Sequence, residues 1–173
     1  MQALAFWKAV TVDQTDFLET LIAWLKQHSV NYCVVGGQAV NAYVEPLVSL
    51  DLDLAVATGE IERIEPSLRE RFAVERFPHS LNLSLPNSKL RVQLQTDPRY
   101  ADFPLRAAMR DVLGVALQVA ALEDVLQGKI WAASDETRRP SKRRKDLLDI
   151  ERLIEAYPQL SSRVPAEILD RLR

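Results

Sequence analysis

The amino-acid sequence predicts an α+β protein: a small mixed β-sheet backed by helices, with a helical C-terminal part. Two observations predict this class. Before Ala121, apolar residues alternate between helical spacing and short strand-like runs, in the order helix, strand, helix, strand and then further strands. From Ala121 onward they recur at helical spacing. We therefore expect an α/β core over residues 1–120 and a helical part over residues 121–173 packed on that core.

Two longer helices are expected within the core. Residues 13–29 repeat apolar side chains every three or four positions, and Asp13 or Thr15 can cap the start of this helix. Residues 60–72 also have a helical pattern, but it contains Pro66. Proline removes a backbone hydrogen bond inside a helix, so we expect the early part of this helix to be kinked or irregular.

The strand-like runs are short and bounded by turn residues. The run over residues 30–37 ends in two glycines, and a short helix over residues 38–44 follows it and stops before Pro46. The runs over residues 80–85 and 89–96 alternate cleanly on either side of Pro-Asn-Ser, which predicts a hairpin. The remaining strand-like runs cover residues 50–56, 72–77 and 115–120.

The C-terminal part is expected to contain helices over residues 122–134, 141–157 and 165–173. A basic run begins the second of them: six of the eight residues from Arg138 to Lys145 are Arg or Lys. Such a run is typical of a solvated helix start or loop, and contact with phosphates is the alternative.

Composition excludes several classes of protein. The 173 residues are 47% hydrophobic and 27% charged, as in a globular chain that buries a core without disulfides. The formal net charge of −2 excludes a uniformly basic surface. The single cysteine, Cys33, lies in an apolar run, which predicts a reduced thiol in a cytoplasmic protein. No apolar run approaches the roughly 20 residues of a membrane span, and the N-terminus lacks a signal-peptide pattern.

Two carboxylates stand out in the strand-like sequence Leu-Asp-Leu-Asp-Leu. Asp51 and Asp53 share one face of the predicted strand, since residues two apart point to the same side. At a separation of about 5–6 Å they repel by roughly 3 kcal/mol at an effective dielectric of about 20. A wet edge-strand face, a nearby basic group or a bridging cation would relieve this repulsion. Of the cations, Mg²⁺ suits oxygen ligands at this spacing and shares its shell with substrate phosphates.

The Gly-Gly pair before this strand strengthens the cation interpretation. Gly36 and Gly37 follow a strand and open a helix, where backbone amides can approach an anion closely. A tight turn is the alternative for the pair alone. A phosphate-binding turn and an acidic pair on neighbouring strands together predict a nucleoside triphosphate site.

These motifs resemble the polymerase-beta-like nucleotidyltransferase superfamily, in which an apolar strand, Gly-Gly, a short helix and Asp-x-Asp follow in order. The matching sequences are Val-Val-Gly-Gly-Gln-Ala-Val and Leu-Asp-Leu-Asp-Leu-Ala-Val. Residues 128–155 are similar to the Lys, then Lys-Asp-x-x-Asp, segment of the AbiEii-like branch, which includes toxins of toxin–antitoxin systems. The resemblance covers most of residues 30–155.

The resemblance implies transfer of a nucleoside monophosphate from NTP to an acceptor, with Mg²⁺ or Mn²⁺ and two-metal phosphoryl chemistry. It implies that Asp51 and Asp53 bind the metal and that the amides of Gly36 and Gly37 contact the β- and γ-phosphates. Lys129 would neutralise phosphate charge.

Asp146 would complete the acidic cluster. The alternatives are a solvated helix lysine for Lys129 and, for Asp146, a helical ion pair with a nearby Arg or with Lys142. Partners implied are NTP, an RNA or protein acceptor, with RNA contacted through Arg138–Lys145, and a cognate antitoxin.

The sequence departs from the family pattern at the third carboxylate. Gln93 or Gln95 stands where an acid is expected on the strand over residues 89–96, and glutamine can ligate a metal but cannot act as a base. Asp97, at the end of that strand, is a substitute candidate. The departure keeps a second interpretation open, a catalytically inactive nucleotide-binding or interaction module of the same fold. A metal-dependent nuclease using the same acids is a third.

Overall fold

The structure is a computed structural model that describes residues 2–11, 16–112 and 114–173. The α-helices of the described residues are α1 Gln2–Thr11, α2 Phe17–Gln27, α3 Gly36–Asn41, α4 Thr58–Arg71, α5 Leu122–Ser134, α6 Pro140–Ala156 and α7 Ala166–Arg171. The strands are β1 Tyr32–Val35, β2 Asp51–Val56, β3 Ala73–Phe77, β4 Ser80–Ser84, β5 Arg91–Gln95, β6 Ala108–Val112 and β7 Val115–Val119. Short 3-10 helices lie at Pro98–Tyr100, Phe103–Arg106 and Pro158–Arg163.

The strands form one mixed seven-stranded sheet in the order β3-β4-β5-β2-β1-β7-β6. Near its centre, β1 runs antiparallel to β2 and parallel to β7, while β2 runs parallel to β5. Helices back this sheet and the C-terminal part is helical, with α5 and α6 packed on each other and on α3. The predicted fold class is confirmed.

Strand β2 shows how the sequence divides the two sides of the sheet. Leu52 and Leu54 are 2% and 1% exposed and lie in the hydrophobic core, whereas Asp51 and Asp53 on the opposite face are only half-buried. Because side chains alternate along a strand, burying the leucines brings both carboxylates to the other face. The core-facing side chains of α2, including Phe17 and Leu21, are fully buried.

Several local predictions need correction. Helix α3 covers Gly36–Asn41 and not residues 38–44, so the two glycines open the helix as expected but lie inside its first turn. Helix α4 is continuous from Thr58 to Arg71 through Pro66, against the expected irregularity. The missing amide of Pro66 removes only one helical hydrogen bond, and the buried face of α4, with Ile64 and Leu68, holds the rest of the helix on the core.

Among the α-helices and strands of the described residues, α1 and β6 were not predicted, and neither were the 3-10 helices. Strand β6 is an edge strand whose first four residues are exposed, so it lacks the alternation by which strands are recognised. Helix α2 begins at Phe17 after Asp16, whose side chain makes no cap hydrogen bond; the expected caps Asp13 and Thr15 lie outside the described residues. Within the described ranges, no helix is both long and apolar enough to cross a membrane.

Candidate active site

A cleft of about 950 Å³ opens on the polar face of β2, between the sheet and helices α3, α5 and α6. Seven of the residues singled out from the sequence line it: Gly36, Gly37, Asp51, Asp53, Gln93, Lys129 and Asp146. The fold thus brings together residues that are up to 110 positions apart in the chain, from Gly36 to Asp146. Their chemical roles remain predictions.

Asp53 lies against the start of α3. In the antiparallel pairing of β1 with β2, Val35 is opposite Asp53, so the next residue, Gly36, meets the carboxylate. A Cβ atom on Gly36 would be only 2.5 Å from Oδ2 of Asp53, and Gly36 has a φ of +67°. Both the contact and the left-handed backbone require glycine here.

The carboxyl group of Asp53 is hard to ionise. Burial raises its pKa to about 6, and the neighbouring charge of Asp51 adds to this, although Lys129, Arg138 and Lys142 act in the opposite direction. A nearby cation favours the charged form of such a carboxyl group, whereas a second carboxylate disfavours it. This electrostatic setting therefore favours a positive ligand between the two aspartates.

Asp51 already has two cationic partners. Its Oδ1 atom lies 2.6 Å from Nε of Arg91, and its Oδ2 atom lies 3.4 Å from Nζ of Lys142. Arg91 stands directly across from Asp51 on the parallel strand β5, whereas Lys142 reaches over from the start of α6. Lys142 is thus a partner of Asp51 and not, as one alternative held, of Asp146.

Lys129 is the centre of a buried ionic cluster. Its ammonium group lies 3.0 Å from Oδ1 of Asp146 and 2.8 Å from Oδ2 of Asp149. Burial alone would lower the pKa of Lys129, but Asp149 and Asp146 outweigh it and raise that pKa. Lys129 is 8% exposed, so the solvated-lysine alternative is wrong.

Arginines complete this cluster and connect it to the loop before β2. Arg138 binds Asp146 with Nε 2.7 Å from Oδ2, and Arg152 binds Asp149 at 2.7 Å. Arg152 also donates to Oδ1 of Asn41, at the end of α3, at 3.2 Å. The side chain of Asn41 in turn holds both backbone groups of Leu47. Helix α6 thereby fixes the approach of the chain to Asp51.

The position beside Asp53 on β5 is held by Gln93, its direct partner in the parallel pairing. The row continues across the sheet, because Gln93 pairs with Asn82 on β4 and Asn82 pairs with Glu75 on β3. The Oδ1 atom of Asn82 and the Oε1 atom of Gln95 are buried without a hydrogen-bond partner. The row that runs from Gln93 through Asn82 is thus uncharged until Glu75.

Asp97 does not replace the missing acid. Its carboxylate accepts hydrogen bonds from the backbone and guanidinium of Arg99 and caps the 3-10 helix that follows. Asp97 is not among the residues that line the cleft. In the part of the chain that the structure describes, no group of three or more His, Cys, Asp or Glu side chains could hold a metal ion.

Sequence reasoning gave no role in the site to Arg91, to Asp149, which is the second Asp of the Lys-Asp-x-x-Asp segment, or to a contact of Lys142 with Asp51. Asp149 had a visible signal, because it follows Asp146 by three positions and so shares its helix face. Arg91 shares a strand face with Gln93, but its contact with Asp51 depends on the register between β2 and β5. No local pattern encodes that register.

Several solved structures have a similar architecture. The antibiotic-resistance factor ANT(2'')-Ia superposes with a TM-score of 0.54 at 18% identity, over 92% of this chain and 89% of that one. The lincosamide antibiotic adenylyltransferase LnuA, with lincomycin bound, gives 0.53 at 10% identity, over 83% and 99%. An antigenic nucleotidyltransferase-like protein from Paracoccidioides brasiliensis gives 0.51 at 20% identity, over 86% and 75%.

These likenesses show that the chain has the nucleotidyltransferase fold. No protein-family model matches the sequence, and a search of curated proteins gives no match.

Proposed function

We propose that this protein transfers a nucleoside monophosphate from a nucleoside triphosphate to an acceptor. The observation that supports this most is the contact of Asp53 with Gly36, with Asp51 beside it in an open cleft. Backbone amides for phosphate and a carboxylate pair for a cation are thus available in one place. The nucleotidyltransferase fold supports the same assignment.

The residues of the cleft fit one divalent ion. Asp51 and Asp53 supply hard oxygen atoms from one strand face, the donor type that Mg²⁺ or Mn²⁺ prefers. Burial raises the pKa of Asp53, and a bound cation would offset that cost by stabilising the charged carboxylate. When bound, the ion would neutralise charge on the triphosphate. To reach it, Asp51 would exchange contacts with Arg91 and Lys142, both of which are partly solvent-exposed.

We assign the triphosphate to the side of the cleft formed by α3 and α6. The amides of Gly36 and Gly37 would contact the β- and γ-phosphates. Lys142 and Arg138 would add charge-assisted contacts, since each is a cation on the cleft surface. Lys129 is bound by two carboxylates, so its role would be to hold Asp146 and Asp149, and through them Arg138 and Arg152, in position.

In the transfer step, an acceptor oxygen bonds to the α-phosphorus while the bond from that phosphorus to the bridging oxygen breaks and pyrophosphate leaves. The proton of the acceptor hydroxyl goes to water in the open cleft, because Gln93 cannot accept one and Asp51 and Asp53 would be bound to the ion. For the acceptor we propose an RNA end bound through Arg138–Lys145, with a protein side chain as the alternative. The exposed cations Arg139, Arg144 and Lys145 on that run support RNA.

We further propose that the protein is the toxin of a toxin–antitoxin pair, from the similarity of residues 128–155 to the AbiEii-like segment. Induced expression in bacteria should then arrest growth. Asp53→Asn should abolish the arrest at an equal protein level, and continued growth with the original chain would refute the toxin role.

A second candidate function is a nucleotide-binding module without transfer activity. Two observations favour it. Gln93 stands where an acid is expected, and Asp51 is already paired with Arg91 and Lys142. The third interpretation, a metal-dependent nuclease, predicts cleavage of the nucleic acid without pyrophosphate release.

Two measurements test these proposals. Calorimetric titration with each NTP and Mg²⁺ should show binding that Asp51→Ala/Asp53→Ala abolishes; equal binding by the double variant would overturn the site. NTP labelled at the α-phosphate should then label RNA or protein, and Asp53→Asn should prevent this. Nucleotide binding without any label transfer would select the inactive module.

A further inference from the structure

Strand β5, the neighbour of the strand that carries Asp51 and Asp53, places a cation and a neutral amide beside these two aspartates. In the parallel pairing of β2 with β5, Arg91 is across from Asp51 and Gln93 is across from Asp53. Directly paired residues on neighbouring strands point to the same side of the sheet. Arg91 and Gln93 therefore form the wall beside the proposed metal ligands, and both line the cleft.

A second metal ion does not fit this wall. Two-metal sites hold their ions about 3.5–4 Å apart, and the second ion needs oxygen ligands of its own. Over the described ranges, no third acidic, histidine or cysteine side chain joins Asp51 and Asp53 in a group that could bind metal. The guanidinium of Arg91 is instead in contact with Asp51, with Nε 2.6 Å from Oδ1, and it would repel a second divalent ion.

We propose that the site takes a single divalent ion and that the guanidinium of Arg91 stands in for a second one. This inference rests on the proposed function. Arg91 and Lys142 balance Asp51 and Asp53 before any ligand arrives, so one divalent ion already gives the cleft a net positive charge for a triphosphate.

Arg91 has the properties for this role. Its side chain is 67% exposed, so it can move from Asp51 to a substrate phosphate without leaving a buried charge unpaired. A guanidinium keeps its charge at all physiological pH values and binds two phosphate oxygens at once. Arg91 would thus pair with Asp51 when no substrate is bound and with a substrate phosphate when the nucleotide is bound.

The test uses Mn²⁺ and electron paramagnetic resonance with the non-hydrolysable α,β-methylene analogue of the NTP that binds tightest. The original chain should bind one Mn²⁺ per complex and give the spectrum of an isolated ion. Two spin-coupled ions would overturn the inference and leave the proposed function standing. Absence of any nucleotide-dependent Mn²⁺ binding would overturn both.

The variant Arg91→Ala should have two effects of opposite sign. Mn²⁺ alone should bind more tightly, because Asp51 loses a competing cation. The nucleotide analogue with Mn²⁺ should bind about tenfold more weakly, because one charge-assisted phosphate contact is lost. Arg91→Lys should restore part of the nucleotide affinity.

The matched control is Arg99→Ala. Arg99 is also an exposed arginine in an ion pair, 2.9 Å from Asp97, but it does not line the cleft. Arg99→Ala should change neither the affinity for Mn²⁺ alone nor the affinity for the nucleotide analogue with Mn²⁺. Unchanged nucleotide affinity in Arg91→Ala, or an equal loss in Arg99→Ala, would refute the role of Arg91.

Discussion

Gly36 and Asp53 are in direct contact across the antiparallel pair β1–β2, with no room for a side chain between them. A Cβ atom on Gly36 would lie 2.5 Å from Oδ2 and 3.3 Å from Cγ of Asp53. For Gly37, the next residue, no atom outside its chain neighbours and its own helix backbone lies within 4 Å of the Cβ position. The two glycines therefore have different roles. Gly36 lets the backbone turn beside the carboxylate of Asp53, and Gly37 leaves open space.

Alanine at these two positions should have opposite effects on stability. Gly36→Ala places a Cβ against Asp53 and forces alanine into a left-handed conformation, which should cost about 1–3 kcal/mol. Gly37→Ala removes a glycine from a helix and should leave stability unchanged or raise it by up to about 1 kcal/mol. Urea unfolding of both variants measures the difference.

The same pair also tests nucleotide binding. If the amide of Gly37 approaches a phosphate, the added methyl group should weaken NTP binding in the stably folded Gly37→Ala variant. Full NTP affinity in that variant would contradict the assigned phosphate contact, and equal stability of the two variants would contradict the Gly36–Asp53 geometry.

The Lys129 cluster should matter to folding itself. Lys129→Met leaves Asp146 and Asp149 buried without their shared cation, and breaking a buried ion pair in this way costs about 3–5 kcal/mol. Asp170→Asn is the control, because it breaks an ion pair with Arg173 in which both side chains are largely exposed. That change should stay within about 0.5 kcal/mol.

A double variant separates the charge from the packing. Lys129→Met/Asp146→Asn removes one of the two carboxylates that have lost the lysine, so in urea unfolding it should be more stable than Lys129→Met alone. Equal destabilisation of the two variants would mean that packing of the lysine stem, and not its charge, is what stabilises this region.

The cluster also shows where sequence reasoning succeeds and where it stops. The alternation of β2 was enough to put Asp51 and Asp53 on one face and the leucines in the core, because that depends on neighbours in the chain. The contact of Lys142 with Asp51 joins residues 91 positions apart and depends on how α6 packs across the sheet. Strand β6, with one buried residue, offered no local pattern at all.

Asp53 should give metal-free protein a distinctive pH dependence of stability. Burial raises its pKa to about 6 in the folded chain, from 3.8, so between these values the folded state binds more protons than the unfolded state. The contribution of Asp53 to the unfolding free energy therefore falls as pH rises from 4 to 6.

The isosteric variant Asp53→Asn has no such titration. In EDTA it should match the original chain near pH 4 and exceed its stability by about 2 kcal/mol at pH 7.5. Urea unfolding at both pH values checks this, with Asp170→Asn as an exposed carboxylate that should show no comparable change. A stability difference independent of pH would show that Asp53 is not the titrating group.

RNA binding through Arg138–Lys145 should depend on salt in a way that identifies the contacts. Arg138 and Lys142 are bound to Asp146 and Asp51, whereas Arg139 and Arg144 are exposed. Each phosphate contact to single-stranded RNA contributes about −0.7 to the slope of log affinity against log salt. Arg139→Ala/Arg144→Ala should therefore reduce the magnitude of the slope by about 1.4. Fluorescence anisotropy between 50 and 200 mM salt, about a fourfold range, measures this slope.

Arg76→Ala is the control, because Arg76 is an exposed arginine paired with Glu65. A slope unchanged by the double variant would mean that the basic run is only a solvated helix start.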